Sequence, residues 1–204
     1  MISHTLQFIF IHIPKTSGNS LSLFLKDCIS NQVIQKDSPL GKNQGIHIIC
    51  EKNGRDIKHE DINYYYKLYS DRVTNYYKFA IVRNPYDRIM SFYFWKKGKD
   101  SNTEFDYNEF VKFVKQQSSY QYKYITNKKT QKIDCEIIHY ENLIPELKQI
   151  STFQGKYDFD DYPTLNASAN SKIDYHIYYN KYTDLQGIVY KKFKKDFEFF
   201  DYKK

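Results

Sequence analysis

Two short runs carry residue types suited to holding phosphate. Residues 14–20 read PKTSGNS. Lys15 supplies a cation, Gly18 relaxes the dihedral limits, and Thr16, Ser17 and Ser20 bring hydroxyl donors on small side chains. Where such a run joins a strand to a helix, the unpaired N–H groups of the first helical turn and the helix dipole favour an anion. Residues 83–91 read RNPYDRIMS. Arg83 offers a planar fork that fits phosphate, and Ser91 follows about two helical turns later. Each run also has a plainer reading. The first is equally a capped helix start with a surface lysine. In the second, Arg83 or Arg88 pairs equally well with Asp87 or another carboxylate.

The elements that would position these residues are legible around them. Residues 6–13 (LQFIFIHI) are apolar, β-branched and aromatic, the signature of a strand buried on both faces. Beyond Lys15 the period changes, and Leu21, Phe24, Leu25, Cys28 and Ile29 mark an amphipathic helix. Residues 79–82 (FAIV) form a second buried strand. Asn84 then caps, and Pro85 opens, a helix running to about Lys97. Lys15 and Arg83 therefore both fall at carboxyl ends of strands, where open α/β sheets bind their ligands. Residues 134–139 are a third strand and 141–150 a helix. A helix is expected over 59–69, another behind Asp106 and Glu109, and a last one capped by Thr183. Residues 36–56 and 151–181 read as loops, with at most a short strand at 46–50.

Composition bounds the rest. The chain has 204 residues, 41% of them hydrophobic and 18% aromatic, which suits one globular domain spanning 1–204. The net charge of +7 points to an anionic partner without choosing one. Mean hydropathy is −0.73, and no apolar run is long enough to span a membrane. The run at 6–13 lacks the flanks of a signal peptide. Cys28, Cys50 and Cys135 are odd in number and widely spaced, as free thiols in a reducing compartment would be. A cytoplasmic protein without a metal site is the expectation.

Taken in order, FIFIHIPKTSGNSL (residues 8–21) and FAIVRNPYDRIMSFY (79–93) closely resemble the sulfotransferases that use 3′-phosphoadenosine 5′-phosphosulfate (PAPS). The branch they look like is the carbohydrate one, related to heparan sulfate 2-O-sulfotransferase and its bacterial relatives. Residues 138–143 (IHYENL), 165–168 (LNAS) and the last helix are similar to later family segments. The resemblance implies an α/β fold: a single domain with a central parallel sheet flanked by helices, of the P-loop nucleotide-kinase type. It implies that Lys15, Thr16, Ser17, Gly18, Asn19 and Ser20 hold the 5′-phosphosulfate. Arg83 and Ser91 would hold the 3′-phosphate, and Ser168, with Asn166 as its neighbour, would approach from the C-terminal side. The family loop usually reads T-G-G-T-S, so Ser17 stands in place of a glycine and Asn19 in place of a threonine.

Sulfuryl transfer needs positioning and charge stabilisation. Lys15 is placed to stabilise the leaving phosphate oxygen, with no metal required, and a histidine suits removal of the acceptor proton. In the family a base stands near the place of His59; His47 is the competitor. The acceptor implied is a carbohydrate or glycoconjugate. Tyr64, Tyr65 and Tyr66, with Tyr120, Tyr122 and Tyr124, are as consistent with sugar stacking as with ordinary packing. Two other classes stay open. One is an ATP-dependent small-molecule kinase or NTPase, although the lysine precedes the glycine and so breaks the Walker pattern. The other is a non-catalytic anion- or nucleic-acid-binding module, although the paired lysines read as a solvated face and no nucleic-acid motif is present. Acceptor recognition is expected from loops 36–58, 98–132 and 151–181.

Overall fold

The computed structural model describes residues 1–3, 6–28, 46–47, 51–52, 55–56, 59–98, 104–154, 157–162 and 174–204. Its centre is a run of three parallel strands. β2 (Phe8–Ile11) pairs with β6 (Tyr77–Val82), and β6 pairs with β7 (Glu136–His139). β1 (Ile2–Ser3) lies antiparallel to β2, and β3 (Ile46–His47) antiparallel to β1, giving the order β3-β1-β2-β6-β7. The expected parallel sheet is thus present at its core, and among the described strands of the sheet β1 alone runs against it. A separate two-stranded ribbon joins β4 (Glu51–Lys52) and β5 (Arg55–Asp56).

Period two divides the sheet between two cores. Phe8, Phe10, Phe79 and Ile81 face α1 (Gly18–Cys28) and α6 (Leu143–Gln149), where Leu21, Phe24, Leu25 and Leu147 meet them. Ile9, Ile11, Ala80 and Val82 face the other way, onto Ile62, Tyr65 and Tyr69 of α2 (Ile62–Tyr69). Phe10 and Phe79 stack with centroids 5.1 Å apart, and such aromatic pairs add ~0.5–1.5 kcal/mol beyond area burial. A third core joins α3 (Pro85–Lys97), α4 (Tyr107–Gln116), α7 (His176–Lys181) and α8 (Asp184–Phe199). α5 (Gln121–Ile125) packs against α8. Among the described residues no helix is long and apolar enough to cross a membrane.

The local signals in front of α3 and α4 operate as read. The Asn84 side chain accepts from the Tyr86 N–H at 2.9 Å, with Pro85 at the first position. Asp106 accepts from the Glu109 N–H at 2.8 Å. Four expectations change. The loop expected over 36–56, with at most one short strand at 46–50, also carries the β4–β5 ribbon. Thr183 makes no side-chain cap. The segment expected to be irregular holds α7, a short tyrosine-rich helix whose Tyr179 is buried. The helix expected from residue 59 starts at Ile62 behind an Asp61 cap, so His59 sits in the turn before it.

Candidate active site

β2 and β6 are neighbours, so the segments leaving their carboxyl ends meet. The Arg83 guanidinium donates to the Lys15 carbonyl at 3.4 Å. Two left-handed residues turn the loop: Lys15 at φ 70° and Ser17 at φ 69° flank Thr16, which is not left-handed. Alternating handedness of this kind gathers backbone N–H groups into an anion-binding concavity. α1 begins at Gly18 and aims its first N–H groups at the same place.

The hydroxyls of the loop mostly face inward. Thr16 is fully buried and donates to the Ile13 carbonyl at 2.9 Å. Ser20 is buried. Ser17 Oγ lies 3.3 Å from the Tyr162 hydroxyl, whose pKa burial pushes up to about 12. Asn19 is exposed. The Thr16 hydroxyl is thus engaged with the chain's own backbone and the Ser17 hydroxyl with Tyr162. Gly18 is obligatory for a different reason from dihedral freedom: a Cβ there would lie 2.1 Å from Cδ2 of His12.

Ser17 holds a left-handed backbone at the place where the resemblance puts a glycine. That conformation costs an L-residue ~1–2 kcal/mol. Ser17→Gly removes the strain, loses one long hydrogen bond and gains unfolded-chain entropy. The expected net is a stabilisation of about 0.5 kcal/mol, or a Tm higher by roughly 1–2 °C in thermal denaturation. A lower Tm would show that the Tyr162 contact outweighs the strain.

Charge is concentrated here. Burial, and secondly the nearby Arg83 charge, push the Lys15 ammonium down from 10.5 to about 8. Neither Lys15 nor Arg83 is in an ion pair among the described residues. Arg83 lies over the Tyr140 ring at 4.3 Å, and its buried Nε has no hydrogen-bond partner there. Its backbone is held by a side chain. The Arg83 N–H donates to Gln121 Oε1 at 2.9 Å, and Gln121 Nε2 donates back to the Arg83 carbonyl at 2.8 Å. Gln121 is fixed in turn by Asp196 of α8, whose carboxylate accepts the N–H groups of Gln121 and Tyr122. The repulsion between two such neighbouring cations is what a bound dianion would relieve.

Burial raises the Tyr175 phenol, while the Arg83 charge and the Ser91 hydroxyl pull it back down. Tyr175 is thus the residue that both Arg83 and Ser91 influence. Arg88 does not pair with Asp87 in the manner of a surface bridge. It is buried, and its fork donates to the carbonyls of Pro14 (2.9 Å) and Ser119 (2.8 Å) and to Ser119 Oγ (2.8 Å).

His59 adjoins this loop. Its Nδ1 lies 3.0 Å from the His12 carbonyl, and the two imidazoles meet edge to face at 4.4 Å. A carbonyl only accepts, so Nδ1 carries the proton and Nε2 is the acceptor nitrogen of the neutral ring. Of His47 only the backbone, in β3, is described. Ser168 and Asn166 lie outside the described residues. No group of three or more His, Cys, Asp or Glu side chains among the described residues is arranged to hold a metal ion.

Sequence reasoning missed His12, Gln121, Tyr162, Tyr175 and Trp95. The last is the chain's one tryptophan, and its ring has the Lys15 ammonium over it at 5.6 Å. The tyrosines proposed for stacking are engaged in packing. Tyr65 is buried, Tyr66 donates to Asp134 at 2.5 Å, and Tyr120 packs on Phe193.

No match emerges among curated proteins or solved structures. The model of the sulfotransferase family matches residues 1–203. That match spans the strand-end loops of Lys15 and Arg83 and the elements that carry them, and the chain belongs to the sulfotransferase family.

Proposed function

We propose that the protein transfers a sulfuryl group from PAPS to a hydroxyl of a carbohydrate acceptor. The observation that carries the reading is the pair of cations, Lys15 and Arg83, brought together at adjacent strand ends with neither in an ion pair among the described residues. Separated by their side chains, they suit a ligand with two separated phosphate groups. The residues present fit such a group. The left-handed turn at Lys15 and Ser17 offers N–H groups to one end, and the unpartnered Arg83 Nε, with Ser91, serves the other. When bound, PAPS supplies the sulfuryl group and a phosphate as leaving group.

Lys15 meets the negative charge that grows on the bridging oxygen, by its ammonium charge or by giving up its proton. The depressed pKa makes the proton easier to give. His59 takes the acceptor proton on Nε2, the nitrogen left as acceptor by the Nδ1 bond to the His12 carbonyl. A carbohydrate acceptor follows from the resemblance of residues 8–21 and 79–93. The reading treats residues 1–204 as one transferase domain in the cytoplasm, a location supported by the free, part-buried Cys135.

The direct test is calorimetric titration with 3′-phosphoadenosine 5′-phosphate (PAP) and with ATP. Tight binding of PAP without magnesium, and none of ATP, is expected. Magnesium-dependent ATP turnover with no PAP binding would replace this reading with the kinase one.

The Lys15 shift fixes a pH dependence. Its folded pKa is depressed, so between about pH 8 and 10.5 the folded protein has released a proton that the unfolded chain still holds, and stability from this group rises with pH across that window. An anion beside Lys15 restores the ammonium. PAP binding is therefore expected to take up about half a proton near pH 8 and close to one by about pH 9, and its affinity to fall as pH rises through that range. Calorimetry in buffers of different ionisation enthalpy measures the uptake, and a constant affinity from pH 7 to 10 would remove Lys15 from the phosphate site.

A further inference from the structure

We propose that Trp95 is the acceptor platform: its exposed indole stacks a sugar ring beside Lys15. The inference rests on the sulfuryl-transfer reading above and adds the residue that holds the acceptor. Trp95 is 56% exposed, the most exposed large apolar side chain described. It sits on α3, whose buried side packs into the helical core. Asp87, Ser91 and Trp95 recur every fourth residue and so share one face of that helix. Along this face Asp87 feels the Arg83 charge, the Ser91 hydroxyl acts on the Tyr175 phenol, and Trp95 ends beneath the Lys15 ammonium. The stripe runs from the Arg83 end of the site to the point of transfer.

The reach is right for an acceptor. Lys15 must stand about 3 Å from the oxygen it stabilises, and an attacking hydroxyl stands roughly 3–3.5 Å from the atom it attacks. The acceptor oxygen therefore lies within roughly 6–8 Å of Nζ, and the indole centroid is 5.6 Å from it. The indole is also backed. Phe92 lies against it at 5.8 Å, and Phe113 meets Phe92 edge-on at 5.7 Å. A flat, braced π-face with negative quadrupole suits the C–H face of a pyranose, whose hydrogens carry partial positive charge.

Because Trp95 is the one tryptophan, its emission reports on this spot directly. PAP-saturated protein is titrated with chitotetraose and with a heparosan hexasaccharide, and steady-state transfer to whichever sugar responds is measured for Trp95→Ala and Trp95→Phe. Saturable change in emission is expected. In Trp95→Ala the acceptor KM rises roughly tenfold while kcat holds within about twofold, PAP affinity is unchanged by calorimetry, and Trp95→Phe recovers most of the loss. No emission change with either sugar, or an unchanged KM in Trp95→Ala, overturns the platform and leaves the donor reading standing. A roughly tenfold loss of PAP affinity in Trp95→Ala overturns it in another way, by assigning the indole to the adenine. Failure of the unaltered protein to bind PAP sinks both readings together.

Discussion

Lys15→Ala is expected to lower sulfuryl transfer by roughly three orders of magnitude while the protein stays folded. Removing a single preorganised group that meets transition-state charge costs 10²–10³ in rate, or about 2.7–4 kcal/mol. Two features put Lys15 at the upper end. Its ammonium is withdrawn from water, so its field is poorly screened. No other lysine or arginine lies on the 14–20 loop. Folding is spared, because removing a cation that burial and Arg83 both disfavour relieves repulsion. The measurement is kcat with saturating PAPS, beside a thermal melt. Activity within tenfold of the unaltered protein would take the leaving-group role from Lys15. Lys15→Arg tests the same point more finely, since a guanidinium keeps the charge but is not readily deprotonated. Rescue would favour electrostatic stabilisation, and its absence would favour proton donation. His59→Ala is the companion variant, with a loss of about 10² expected on the acceptor side.

Arg88→Ala is expected to have the largest effect on stability, about 3–5 kcal/mol, a Tm lower by roughly 6–15 °C. Arg88 is 2% exposed and ties α3 to two segments with one fork: the Pro14 carbonyl at the start of the 14–20 loop, and the carbonyl and hydroxyl of Ser119 before α5. Its charge also holds down the pKa of Asp196, which burial raises. Truncation leaves buried acceptors unpaired and Asp196 without its nearest cation. Arg88→Lys is expected to recover only part of the loss, because one ammonium cannot span Pro14 and Ser119 together. Differential scanning calorimetry decides the matter. A melt within 1–2 °C of the unaltered protein would mean that water replaces the fork. Donor affinity should suffer in both variants, since the Pro14 carbonyl is one residue from Lys15.

What could be read in the chain beforehand was what depends on near neighbours. β2 and β6 are apolar runs that stay apolar because both faces are covered, and the Asn84–Pro85 start of α3 is a contact between residues two apart. Their strand ends therefore placed Lys15 and Arg83 correctly. The residues that went unread act across the chain. His12 looked like a sheet residue, yet its ring blocks any side chain at position 18 and its carbonyl sets the His59 tautomer. Gln121 and Asp196 sit 75 positions apart and brace Arg83 together. Trp95 stood unread in the sequence, and its meeting with the Lys15 ammonium joins residues 80 positions apart. Thr183 had the right type for a cap, but its backbone is already helical, so its hydroxyl does not reach the N–H groups ahead.

The Gln121 amide does for Arg83 what another strand would do, giving and taking one hydrogen bond across a residue that has left the ladder. This makes Arg83 observable by amide hydrogen exchange. Its N–H should be protected beyond the neighbouring loop residues, yet released by an opening of the 119–125 segment alone, with Phe79 to Val82 still closed. Arg83 would then belong to a different cooperative unit from the strand that delivers it.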